Sequence, residues 1–237
     1  MGGKNVGERL KRLKQLCDKL EITLDDYTLL DRALTHPSHV CESNEANNQR
    51  LEFLGDAIVD LIMGEYLYEH FPQKQEGELT RMRAALVCEA SLANAAKRVN
   101  LGDYLLLGKG ERANGGEHRA SNLADAWEAM IAAIYLTASL DTVRPIMLKF
   151  LKPEMDLVFK GFYGDYKTQL QEIVQKNPDS VIEYKIIAEK GPDHDKEFTA
   201  QVLVNGTVKG QGIGRTKKEA EQNAALYFLQ KTGGLGE

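Results

Sequence analysis

The 237-residue sequence has few cysteines, no long apolar run and no excess of basic charge, and each shortage narrows what the chain can be. Cys17, Cys41 and Cys88 are an odd number without metal-site spacing, each in a segment able to bury it as a small hydrophobe. That pattern argues for reduced, intracellular thiols and against a disulfide framework or a zinc site. No window approaches the eighteen or so apolar residues of a membrane span. The N-terminus is charged from Lys4 through Glu8, Arg9, Lys11 and Arg12, where a secretory signal would be apolar. The expectation is a soluble, cytoplasmic protein with no membrane partner. A formal net charge of −5 argues against a partner held by overall electrostatics alone, nucleic acid included.

Charge distribution says more than the total. From Asp165 through Lys231 there are ten Lys or Arg against ten Asp or Glu, so this segment is neutral and the negative excess belongs to the rest of the chain. Within it, Lys209, Arg215, Lys217, Lys218 and Lys231 outnumber Glu219 and Glu221.

Periodicity divides the chain in the same place. Up to about Val158 apolar residues recur at helical spacing, predicting helices over Val6 to Leu20, Asp26 to Leu34, Gln49 to His70, Gly77 to Val87, Cys88 to Val99, Arg119 to Thr137 and Leu140 to Val158. Gly108 to Gly116 is expected to be a glycine-rich loop. Beyond Lys160 to Gly164, a helix over Asp165 to Gln175 precedes three alternating segments, Val181 to Ala188, Phe198 to Val204 and Thr207 to Gly212. Asn205-Gly206 joins the last two as a two-residue hairpin turn, since both residues tolerate positive φ. A final helix over Lys217 to Gln230 closes an α-β-β-β-α unit. The expected organisation is an all-α domain over residues 1–160 and a small α+β domain over 161–237, without internal repeats.

The segment Gln49 to Asp60, QRLEFLGDAIVD, carries Glu52, Asp56 and Asp60 four residues apart on one face of a largely apolar helix. A second helix, NLADAWEAMIAAIYL, places Asp125 and Glu128 three apart among apolar neighbours. Buried carboxylates side by side are costly unless a proton or cation neutralises them. Oxygen ligands without His or Cys suit a hard divalent cation, with Mg²⁺ the natural choice. Any one of these acids taken alone reads as the solvent-facing stripe of an amphipathic helix, the preferred reading for Asp60 and Glu65. A carboxylate di-iron bundle would need Glu-x-x-His, and Ile131 stands three residues after Glu128.

QRLEFLGDAIVD resembles the signature segment of the ribonuclease III family. Further matches follow in family order: THPSH at 35–39, QEGELTRMRAALV at 75–87, LLLGKGE at 105–111 and NLADAWEA at 122–129. The C-terminal unit, with DYKTQLQE, GPDHDKEF and KKEAEQNAA, is similar to a double-stranded RNA-binding domain. The resemblance covers nearly the whole chain.

It implies a Mg²⁺-dependent endoribonuclease, with Mn²⁺ able to substitute, that hydrolyses double-stranded RNA to 5′-phosphate and 3′-hydroxyl ends with short 3′ overhangs, in rRNA and mRNA processing. Glu52, Asp56, Asp125 and Glu128 match the family's metal cluster, with Asp56 and Glu128 catalytic, and Glu76 matches a supporting acid at the cleft. Gln49 stands where many bacterial relatives carry an acid, which leaves it at most a supporting role. The resemblance further implies a homodimer in which Phe53 inserts into the partner subunit. RNA contacts are expected from Thr168, Gln171, Glu172 and His194, and from Arg215, Lys217 and Lys218 at a helix N-terminus, where free N–H groups favour phosphate. The alternatives are a non-catalytic RNA-binding protein that keeps the fold and a phosphohydrolase of small nucleotides. The first could shed acids that are all present here, and the second leaves the C-terminal domain without a use.

Overall fold

A computed structural model describes residues 3–40, 46–162, 165–191 and 196–232. The chain forms two compact units, Met1–Met155 and Asp156–Glu237. The first contains helices α1 (Gly3–Leu20), α2 (Thr28–Ala33), α3 (Gln49–His70), α4 (Glu76–Val87), α5 (Glu89–Arg98), α6 (Lys109–Ala113), α7 (Ala120–Thr137) and α8 (Leu140–Phe150), and α9 (Lys152–Phe159) follows.

α7 is the centre of this unit. Its sequence is apolar on nearly every side, and residues Asn122 through Ala124, Ala126, Trp127 and Ala129 through Ile134 are buried. Helices α2, α3, α5 and α8 therefore all pack on it. Trp127 is fully buried and meets Phe150 of α8 edge to face, with ring centroids 5.9 Å apart. On α3, Leu51, Ile58, Val59, Ile62, Met63 and Leu67 face the interior. Each such side chain withdrawn from water contributes about 1.5–3 kcal/mol.

Two differences from the sequence expectation have simple causes. The helix expected over Leu140 to Val158 is broken at Leu151, because Pro153 has no N–H to donate to the carbonyl of Lys149 and so starts a new helix. The glycine-rich stretch 108–116 is not wholly a loop: α6 and a short 3₁₀ turn, Gly116–His118, lie within it. This stretch is tied to the THPSH segment. His36 N–H donates to Leu106 O (3.0 Å), Leu106 N–H donates to Leu34 O (2.8 Å), and Gly108 N–H donates to the Ser38 hydroxyl (3.0 Å).

The second unit holds α10 (Tyr166–Val174), strands β1 (Ile182–Lys190), β2 (Glu197–Val204) and β3 (Thr207–Gly214), and α11 (Lys217–Lys231). The strands form one antiparallel sheet in the order β1-β2-β3. Asn205 (φ 51°) and Gly206 (φ 73°) make the β2–β3 turn with both central residues left-handed, and the Asn205 side chain accepts from Val181 N–H at 2.8 Å. The core joins Phe162 and Leu170 to Ala200, Val202, Ala220, Ala224, Ala225 and Leu229, with Leu157 packed against it. α11 lies close on the sheet because glycines of β3 face its alanines: a Cβ on Gly212 would stand 2.1 Å from Ala224 N.

Candidate active site

The carboxylates of α3 and α7 meet where the two helices touch. Gly55 lies between Glu52 and Asp56, and a Cβ placed on it would stand 2.0 Å from the backbone oxygen of Glu128. Only glycine allows the backbones to come this close, and the contact sets Glu128 directly across from the acids of α3. Glu52, Asp125 and Glu128 are half-buried and Asp56 is exposed.

Crowding shows in their acidity. The Glu128 carboxyl is pushed up to about 8, first by burial and then by Asp56, Asp125, Glu52 and Asp60. Glu52 is raised by burial and by the charges of Asp125 and Asp56. Asp125 is raised by burial and by Glu89, with His36 opposing. The four acids thus share one field. They are not drawn together as ligands: among the described residues, no three His, Cys, Asp or Glu side chains are gathered to hold an ion. A donor set of oxygens alone, with one carboxyl held protonated to near pH 8 by burial and then by its acidic neighbours, suits a hard divalent cation.

In the second unit, polar groups gather where α10 and α11 begin. Asp165 caps α10, accepting from the backbone N–H (3.1 Å) and hydroxyl (2.9 Å) of Thr168 and from Gln222 Nε2 (2.9 Å). Gln171 and Glu172 are exposed one turn further on. Thr216 caps α11 by accepting from Glu219 N–H at 3.1 Å, while Glu219 reaches back to accept from Arg215 N–H at 2.8 Å. Arg215, Lys217 and Lys218 are exposed around that helix end. Lys217 Nζ lies 5.7 Å from the centre of the Phe198 ring, and the charge of Lys218 helps to hold the Asp165 carboxyl below its usual range. The expected contact His194 lies outside the described residues.

A model of ribonuclease-III-like domains matches residues 26–155, and one of the double-stranded RNA binding motif matches residues 166–232. The chain belongs to the ribonuclease III family. Ribonuclease 3 of Natranaerobius thermophilus is 46% identical over 228 residues, 95% of this chain and 99% of that relative. Ribonuclease 3 of Syntrophomonas wolfei is 51% identical over 203 residues, 85% of this chain and 87% of that one. A solved nuclease domain of ribonuclease III from Campylobacter jejuni, described for flexibility in its region of dimer formation, superposes with a TM-score of 0.57 at 42% identity, covering 61% of this chain and 99% of the other. The chain is an endoribonuclease of that family with a double-stranded RNA-binding domain. No helix among its described residues is long and apolar enough to cross a membrane.

Other expected site residues of the ribonuclease III lie around the cluster in different ways. Glu76 is exposed in the first turn of α4, accepts from the Thr80 hydroxyl at 2.9 Å and opens on a groove with Gly64, Tyr68 and Arg83. It is not among the charges that raise Glu52, Asp125 or Glu128. Asp60 and Glu65 are ion-paired, with Arg83 (3.4 Å) and Arg144 (2.6 Å) respectively. Gln49 is exposed at the start of α3, its N–H on Asn47 Oδ1 at 3.2 Å. Phe53 is 82% exposed, and Leu61 and Tyr68, also exposed, share its side of α3 at helical spacing.

Sequence reasoning assigned no role to the clamp at the head of α7. Buried Asn122 donates through Nδ2 to Glu111 Oε1 (2.7 Å) and Gly116 O (3.0 Å), and Arg119 Nη1 donates to the same Glu111 oxygen at 2.6 Å. These bonds, with the nearby His36 charge, hold Glu111 ionised. They anchor the turn that precedes Asp125. The sequence signal was that Glu111 ends the LLLGKGE motif and Asn122 begins NLADAWEA, with nothing in the spacing to show that the two meet.

Proposed function

We propose that this enzyme hydrolyses double-stranded RNA with Mg²⁺ held by Glu52, Asp56, Asp125 and Glu128, leaving 5′-phosphate and 3′-hydroxyl ends with short 3′ overhangs. Residues 1–160 form the nuclease domain and 161–237 the RNA-binding domain. A single observation carries the reading: the contact of Gly55 with Glu128 sets a half-buried carboxyl among Asp56, Asp125 and Glu52, where burial first and those charges second push it up to about 8. A bound Mg²⁺ supplies the chemistry, namely relief of phosphate charge, an activated water and stabilisation of the departing 3′ oxygen; Mn²⁺ can substitute.

The protein's own groups do the rest. Glu128 gives up its proton when a cation replaces it as the neutralising charge, which couples ion binding to pH. Asp56, the most exposed acid of the set, faces the approaching phosphate together with Glu128, and both are assigned as catalytic. Glu52 and Asp125 complete the set, and Glu76 supports the cleft. Thr168, Gln171 and Glu172 offer polar groups to 2′-hydroxyls and His194 reaches a second minor groove, while Arg215, Lys217, Lys218 and the N–H groups of the α11 start take phosphates. Two copies pair through α3 with Phe53 in the contact, so that each subunit's cluster cuts one strand of a duplex whose strands are themselves related by symmetry. The natural setting is rRNA and mRNA processing in the cytoplasm.

A gel assay on a long RNA duplex, with and without Mg²⁺, tests this reading. Cleavage is expected only with the ion, and Glu128→Ala and Asp56→Ala are expected to abolish it while retaining helical content and duplex binding. Normal Mg²⁺-dependent cleavage by either folded variant would remove that residue from the site.

A further inference from the structure

β3 is one of the two edges of the sheet, so alternate N–H and C=O groups along it point away from β2 and can pair, except Ile213 O, which accepts from Asn223 Nδ2 at 2.7 Å. The two edges differ in build. β1 carries Glu183, Lys185, Glu189 and Lys190 and a bulge between Ile186 and Ala188, features that discourage the addition of a strand. β3 carries one charged side chain, Lys209, and leaves Val208 and Ile213 each 50% exposed. Its irregularity falls at the hairpin end, opposite Val202 and Leu203, and the register from Gly210 to Gly214 is unbroken.

The face of β3 toward α11 has only glycines, Gly210, Gly212 and Gly214. A chain laid beside β3 therefore meets the helix side chains Tyr227 and Lys231, with Lys231 Nζ 5.8 Å from the Tyr227 ring centre. The groove so formed has a volume of about 630 Å³. Both charges lining it, Lys209 and Lys231, are positive, and no acidic residue lines it.

From this we infer that the outer edge of β3 and the last turns of α11 dock an extended segment of a partner protein in which apolar and acidic residues alternate. Main-chain pairing along β3 supplies the affinity, and Val208 and Ile213, on the face away from α11, take the apolar side chains, which turns the acidic ones toward Lys231 and Tyr227. The two lysines select the acids. A second copy of this edge is a poorer occupant, since it would bring like-charged lysines together. Lys217 and Lys218 lie at the other end of α11, about 20 Å away at 1.5 Å per residue, so the segment is held while RNA occupies that end.

The test titrates the isotope-labelled full chain with a blocked synthetic peptide of alternating valine and glutamate, about eight residues long like β3, and with its valine–lysine counterpart. Amide shifts are expected at Val208–Ile213 and Tyr227–Lys231 with the first peptide only, at the same affinity when a short RNA duplex is bound. Reversing both exposed lysines (Lys209→Glu, Lys231→Glu) is expected to weaken binding about tenfold, with the remaining spectrum unchanged. The inference is overturned by a silent β3, by equal response to both peptides, by shifts at these residues on concentrating the chain alone, which would mark a second copy, or by displacement with duplex RNA.

Discussion

Replacing Glu128 by Gln keeps its size and removes its charge from the cluster, so the metal-free protein should become more stable and its pH dependence should change. The carboxyl titrates at about 8 in the folded chain against 4.5 in the open chain. Below 4.5 it is protonated in both states and nothing is gained or lost. As pH rises from 4.5 to 8, the unfolded chain releases this proton while the folded one keeps it, so stability falls through that window and is level above it. At about 1.4 kcal/mol per pH unit the full difference is about 5 kcal/mol. Glu128 is only half-buried, and solvent screening reduces this to about 2 kcal/mol. Urea unfolding in chelator, at fixed protein concentration, is the assay. Glu128→Gln should match the parent near pH 4.5 and exceed it by about 2 kcal/mol at pH 8.5, because it never takes up the charge that the fold disfavours. Mg²⁺ should then stabilise the parent and leave the variant almost unmoved. Parallel pH profiles for the two proteins in chelator would refute the crowding from which the site was argued.

Gly55→Ala places a methyl 2.0 Å from Glu128 O and must part α3 from α7, so a loss of about 3 kcal/mol in thermal or urea unfolding is expected, with cleavage lost even where the fold survives. Phe53→Ala removes a ring that is 82% exposed in one chain; it should leave the stability of a single chain within about 0.5 kcal/mol while sedimentation shows weakened pairing, and an unchanged dimer would take Phe53 out of the contact. Substituting Lys217 and Lys218 together by Ala should weaken duplex binding and flatten the slope of log affinity against log salt by about 1.5, and an unaltered slope would show that neither touches phosphate.

Much of this was legible before folding. Helical and alternating periodicities divide the chain where its architecture changes, and Asn205-Gly206 marks the hairpin because few other pairs adopt two left-handed residues in succession. The break at Leu151 is not legible from proline alone, since Pro145 sits inside α8 while Pro153 starts α9. The glutamate and aspartate spacings placed the acids on helix faces. They could not tell Asp56 from Asp60, which are equivalent by periodicity. Asp60 is ion-paired to Arg83, whereas Asp56 is the charge that acts most strongly on Glu128, and the difference comes from where α7 crosses.

Local pattern in the sequence marks most of the elements and the two kinds of fold, because period, turn chemistry and helix breaking act over a few neighbouring residues. Which groups feel one another follows from tertiary structure. The approach of α3 to α7 at Gly55 and the influence of Glu89 and His36 on Asp125 join residues far apart in the chain. Burial and Coulomb interaction depend on distance in space, and no local pattern encodes it.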